Sequence, residues 1–199
     1  MKKLMKLGIT GGMGSGKTSV CKVFGILGIP VFFADPEAQI LMNSKASIIR
    51  GINDIAGKDM YPGGILNREE LAGIIFKDPD KLKKVNSLVH PFVFDRFNDW
   101  AENQTAPYVI LEAAILFESG GSVHVDRIVT VTAPLEERIS RLTAGDRLTR
   151  EQVVERIRNQ MDDEERITMS DYVINNSENE MIIPVILGIH EDILSHSDI

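Results

Sequence analysis

One cysteine, Cys21, stands among the 199 residues, so an internal disulfide is excluded and a reducing compartment fits. No run approaches the ~20 apolar residues of a membrane span. The apolar stretch of the N-terminal "MKKLMKLGIT" is broken by Lys6 and runs straight into glycines, which argues against a signal peptide. Internal repeats, low-complexity tracts and long Pro/Gly/Ser linkers are also lacking. Positive charge is not in excess: the formal net charge is -7, which weighs against general nucleic-acid binding. The expectation is a cytoplasmic chain with neither membrane nor nucleic acid as partner, its oligomeric state left open.

What is present suffices for one sizeable core and a small appendage, since 43% of the residues are apolar. The cations are unevenly placed. Every Lys lies at or before Lys84, and most Arg lie between Arg138 and Arg166, which leaves room for a locally basic cleft around a phosphorylated small molecule.

Strand-like and helix-like segments alternate. "KLMKLGIT" reads as a strand and "TSVCKVFGILG" as a helix, with Val20, Val23, Phe24 and Leu27 on one face. "IPVFFAD" reads as a second strand that stops where Asp35 meets Pro36. "YVILEAAILF", "RIVTVTA" and "DYVIN" supply three more. Between the last two lie "PLEERISRLTAGD" and "TREQVVERIRNQMDDEERI", the latter opened by a capping box from Thr149 to Gln152. The expected fold is α/β, a three-layer, doubly wound sheet of five parallel strands. About seventy residues between the second and third strands carry the helical patterns "NREELAGIIF", "DPDKLKKVNSLV" and "HPFVFDRFNDWAEN". That is too long for an ordinary crossover, and the stretch either encloses a second substrate or only covers the sheet.

Residues 8–20, "GITGGMGSGKTSV", satisfy G-x-x-x-x-G-K-[ST] from Gly11 to Thr18, directly after a strand and before a helix. Glycines let successive N–H groups converge on phosphate oxygens, and the helix N-terminus adds its positive dipole end. Lys17 would reach the β and γ phosphates, and the Thr18 hydroxyl would hold Mg²⁺. A dinucleotide-binding loop fails on spacing, because no glycines sit at i, i+2 and i+5. The N-K-x-D stretch of a GTPase and a D-x-x-G placed after a strand are absent, which leaves an ATPase or a small-molecule kinase. Glu112, ending "VILEA", reads either as an ATPase's Mg²⁺-organising acid or as a buried glutamate satisfied by neighbours. A kinase needs a group to orient or deprotonate the acceptor hydroxyl, and cations for the transferring phosphoryl. Asp35 is the candidate for the first role, against simple N-capping of a helix. The Arg-rich segment from Arg138 to Arg158 is the candidate for the second, with several of its members expected to pair with Glu136, Glu137, Glu151 and Glu155.

Seven pieces, taken in order, carry a resemblance that runs the length of the chain: "GITGGMGSGKTSV", "GIPVFFADPEA", "LNREELAGIIF", "LVHPFV", "AILFESG", "RIRNQMDDEERI" and "SDYVINN". Together they resemble the dephospho-CoA kinases. The likeness implies transfer of the ATP γ-phosphoryl group to the ribose 3′-hydroxyl of dephospho-CoA with Mg²⁺. It also implies one domain made of a P-loop core (about 1–35 and 105–199), a helical CoA-binding insertion (about 36–104) and a mobile lid (about 138–158). Carried over by position, the catalytic base falls on Asp35. The ATP loop falls on Gly12, Met13, Gly14, Ser15, Gly16, Lys17, Thr18 and Ser19. Arg68 and His90 border the acceptor side, Arg141 is the first lid arginine, and Asn176 lies near the adenine.

The chain also departs from that pattern. Phe33 stands where the family often has a first acid before Asp35, and Ala114 replaces a usual Pro. Gly145 precedes Asp146 where the lid usually reads Arg-Asp, so Arg147 or Arg150 is expected to supply the missing phosphate contact. The runner-up readings are a P-loop kinase of another nucleoside or nucleotide and a nucleotide-binding regulatory module without catalysis.

Overall fold

The structure is a computed structural model and describes residues 4–75, 77–144 and 149–197. Five strands form one parallel sheet in the order β2-β3-β1-β4-β5, where β1 is Met5–Thr10, β2 Val31–Phe33, β3 Tyr108–Glu112, β4 Arg127–Thr132 and β5 Tyr172–Asn175. The chain leaves β1 between its two neighbours, with Ile9 level with Glu112 of β3 and Val129 of β4. Ligands of open α/β sheets bind outside the carboxyl ends of strands at such a reversal of order.

The chain divides into two compact units, Met1–Phe33 with Trp100–Ile199, and Ala34–Asp99. In the first, alternate strand residues point one way: Leu7 and Ile9, Tyr108 and Ile110, Val129 and Val131, and Ile174. They meet Val20, Cys21 and Phe24 of α1 (Lys17–Ile26) and Ile186, Ile189 and Ile193 of α9 (Ile182–Ser197). On the opposite face of β1, a Cβ on Gly8 would lie 2.7 Å from Leu116 Cδ2. The loop after β3 therefore closes directly onto the central strand.

The second unit is helical: α2 (Ala34–Ser44), α3 (Ala46–Ala56), α4 (Arg68–Ile75) and most of α5 (Pro79–Glu102). Ile48, Ile52, Met60, Val89 and Phe97 are buried in it. Side chains tie its turns down, with Tyr61 Oη donating to Met42 O at 2.8 Å and Asn43 Oδ1 accepting from Leu66 N–H at 2.9 Å.

Three sequence expectations change. The second strand stops at Phe33, and Asp35 lies in the first turn of α2, where a carboxylate and the Asp-Pro pair both suit a helix N-terminus. The patterns before and after His90 are one helix, α5, which runs through Pro91; its apolar face, including Val85, Val89, Val93 and Phe97, outweighs the single backbone bond that a proline removes. The helical segment "TREQVVERIRNQMDDEERI" splits into α7 (Arg150–Arg158) and α8 (Asp163–Thr168), because Asp162 caps a new start by accepting from Glu164 N–H at 2.8 Å. The Thr149–Gln152 capping box forms as read.

Candidate functional site

Residues 11–16 connect β1 to α1, and three of their glycines have positive φ, among them Gly16 at +93°. At Gly16 a Cβ would also sit 2.0 Å from Asn176 Nδ2, so both backbone shape and space demand glycine. At Gly12 the demand is spatial alone, since Arg138 Nη2 lies 2.2 Å from a Cβ placed there.

The carbonyls of the loop are taken up one after another. Lys17 Nζ donates to Gly11 O at 2.9 Å and to Gly12 O at 3.4 Å. Arg138 Nε donates to Met13 O at 2.8 Å, Arg141 Nη1 to Gly14 O at 3.4 Å, and Asn176 Nδ2 to Ser15 O at 2.8 Å. On the N–H side, Met13 donates to Gln160 Oε1 at 2.8 Å and Ser15 to Gly12 O at 3.2 Å. The Ser15 hydroxyl is fully buried and takes no partner among the described residues. An orphan of that kind costs about 1–3 kcal/mol unless something meets it. Thr18 and Ser19 are exposed on the first turn of α1.

Behind the loop two buried arginines are held by partly exposed carboxylates. Arg138, on α6 (Leu135–Thr143), is 4% exposed and pairs with Asp163 at 2.8 Å. Asp163 also holds Arg166 at 2.8 Å, which is 0% exposed and reaches Glu118 at 3.3 Å. Two cations and two anions balance there, as buried charges require. Burial pushes the Arg138 guanidinium below its ordinary range; Asp163 opposes this and Arg166 adds to it. The exposed arginines behave otherwise. Arg150 makes a two-pronged pair with Glu136 at 2.7 and 2.8 Å, and Arg141 pairs with Glu137 at 2.8 Å while donating to Asn176 O at 2.8 Å.

At the end of β3, Glu112 is 6% exposed and level with both Ile9 and Phe33. Its charge, with burial as the larger cause, drives the Cys21 thiol far above its ordinary range, with Lys17 opposing, so Cys21 is an inert core residue. Among the described residues no cluster of three or more His, Cys, Asp or Glu could hold a metal ion. Magnesium does not need one, because it is usually carried by phosphates, waters and one or two protein oxygens. The Thr18 hydroxyl fits that role.

The helical unit holds the other predicted residues. Asp35 is exposed, two residues beyond the end of β2, and its charge acts on His90 in α5. Burial lowers the His90 pKa and the Asp35 carboxylate partly restores it, leaving a neutral imidazole at pH 7 with its ring 5.9 Å from that of Phe94. Arg68 is exposed at the first position of α4, after Asn67, which accepts from Glu70 N–H at 3.2 Å.

The structure thus gathers Gly12, Met13, Gly14, Ser15, Gly16, Lys17, Arg141 and Asn176 around one loop, and sets His90 within reach of the Asp35 charge. Arg147 and Gly145 lie outside the described residues. Sequence reasoning missed Gln160 as a partner of the loop and Asp163, Arg166 and Glu118 as the charges behind it, and took Arg138 for a lid or solvent-facing cation. Nothing in the spacing of a polar helical run marks which of its members turns inward.

The family model for dephospho-CoA kinase matches residues 5–181. A dephospho-CoA kinase of Bacteroides fragilis is 38% identical over 184 residues, covering 92% of this chain and 90% of that protein. Among solved structures, TT1252 from Thermus thermophilus superposes with a TM-score of 0.82 at 32% identity, over 98% of each chain. The dephospho-CoA kinase from Campylobacter jejuni, at 20% identity, shares the fold with a TM-score of 0.68 over 96% of this chain and 98% of its own.

Proposed function

Because the chain belongs to the dephospho-CoA kinase family, we propose that it transfers the γ-phosphoryl group of ATP to the ribose 3′-hydroxyl of dephospho-CoA, giving coenzyme A and ADP. The observation that carries the donor half is the loop itself, whose carbonyls from Gly11 to Ser15 are all drawn to donors. A loop so held presents N–H groups to an anion at the N-terminus of α1 with its backbone already set. Lys17 would leave its carbonyl partners for the β and γ phosphates, and Thr18 would hold Mg²⁺, which neutralises charge on the phosphates when bound.

Asp35 is the proposed base. Its exposure suits a group that must meet a substrate hydroxyl, and a neutral His90 beside it leaves the carboxylate free of a competing cation. Arg68 and His90 would line the acceptor side, Arg141 would close on the γ-phosphoryl group, and Asn176 would lie near the adenine. The helical insertion (about 36–104) would bind the CoA moiety and the lid (about 138–158) would exclude water. A cytoplasmic location belongs to the same proposal; among the described residues no helix is long and apolar enough to cross a membrane.

Release of ADP, coupled to a spectroscopic readout, tests this with dephospho-CoA, with adenosine and with no acceptor. Release only with dephospho-CoA is expected. Release with adenosine would indicate another nucleoside kinase, and release without acceptor an ATPase. For the missing lid arginine, we propose that Arg147 or Arg150 takes its place; an unchanged turnover in both Arg147→Ala and Arg150→Ala would end that idea.

A further inference from the structure

The Met13 peptides are gripped from two sides, by Gln160, to which the kinase reading gives no role, and by Arg138, which that reading takes only as part of a lid. Gln160, in the turn between α7 and α8, accepts the Met13 N–H at 2.8 Å. Arg138, on α6, donates to the Met13 carbonyl at 2.8 Å. A peptide is planar and trans, so its C=O and the following N–H point in opposite directions. Pulling Met13 O toward Arg138 therefore turns the Gly14 N–H the other way, and pulling Ser15 O toward Asn176 does the same for the Gly16 N–H. Among the described residues, these two N–H groups donate to nothing, whereas Met13 and Ser15 N–H are occupied. The loop thus sorts its donors into alternate sets, one engaged by the protein and one left for a ligand.

Arg138 could not hold this position alone, because its guanidinium is buried and already shared with Asp163. Asp163 and Gln160 lie three residues apart, on either side of the cap at Asp162 that starts α8. The same turn therefore supplies the Met13 N–H acceptor and the counter-charge for the Met13 carbonyl donor. We infer that Gln160 and Arg138 are positioning residues that set the Met13 peptides so that the Gly14 N–H is presented to the nucleotide phosphates, which makes the α7–α8 turn a determinant of ATP affinity. The inference rests on the kinase reading only for the identity of the nucleotide.

The test uses the full chain and a non-hydrolysable ATP analogue with Mg²⁺, titrated calorimetrically without acceptor. Gln160→Met, which keeps the length of the side chain and removes its acceptor, is expected to weaken analogue binding about tenfold. KM for ATP should rise in parallel, while KM for dephospho-CoA and the melting midpoint stay near the parent's. Gln160→Glu, which keeps an acceptor oxygen, should recover more than half of the lost affinity on a logarithmic scale. Arg138→Lys, which preserves charge but cannot serve Met13 and Asp163 as a fork, should also weaken the analogue. Unchanged affinity in Gln160→Met would overturn the inference, as would a loss that Gln160→Glu does not recover and that tracks a fall in melting midpoint. Failure of the kinase reading looks different: the parent would bind the analogue yet release no ADP with dephospho-CoA.

Discussion

The phosphate loop and the helical unit hold their polar residues in opposite ways. In the loop, the carbonyls from Gly11 to Ser15 each accept a hydrogen bond, two buried arginines stand behind it, and glycine is enforced by neighbours packed against it. In the helical unit, Asp35 and Arg68 are exposed at the first turns of α2 and α4, and only His90 is substantially covered. Binding a multiply charged phosphate rewards dipoles fixed in advance, since nothing then has to reorganise as charge moves. A base that must reach a hydroxyl delivered by a flexible substrate is better left solvated until that substrate arrives.

If that contrast holds, damage to the loop should be the more severe. Lys17→Ala removes the one loop cation and is expected to lower kcat/KM about 10³-fold in the coupled ADP assay. A loss of less than tenfold would mean that the N–H groups alone carry the phosphates. Next, Asp163→Ala leaves Arg138 and Arg166 without their shared carboxylate and should cost about 3 kcal/mol in urea unfolding. A loss well below 1 kcal/mol would show that the buried charge is not holding the fold. In the helical unit, Asp35→Asn should reduce kcat about 10²-fold with ATP affinity and stability intact; near-parental turnover would remove Asp35 as the base.

The smallest effect concerns pH. His90 has a folded-state pKa below the unfolded value of 6.5, so the unfolded chain binds more protons as pH falls through that window. The contribution is present above the unfolded pKa and is lost as pH drops through the folded pKa. Melting midpoints of the parent should therefore fall between about pH 7 and 5 more steeply than those of His90→Gln. Parallel curves would show that burial of His90 does not matter to stability.

Much of this was legible in the chain. Alternating apolar runs gave five parallel strands, and the glycine-lysine-threonine spacing located the loop before any fold was known. What escaped were features decided by partners far along the chain. Asp35 reads equally as the end of a strand or the start of a helix, and only the early end of pairing between β2 and β3 at Phe33 resolves it. His90-Pro91 reads as a helix start, yet the apolar stripe on both sides carries α5 straight through. Among the arginines from Arg138 to Arg166 the residue types are the same, while their fates differ: Arg138 and Arg166 are buried and Arg150 is on the surface with Glu136.

Taken alone, the sequence located the phosphate loop and its residues, because such a loop is a local device: its glycines, its lysine and the helix behind it are contiguous, and backbone sterics act over a few residues. Only the tertiary structure decided which distant side chains hold that loop in shape. Arg138, Gln160 and Asn176 stand more than a hundred residues from Met13 and Ser15, and a hydrogen bond across such a separation depends on where the folded chain delivers its donor.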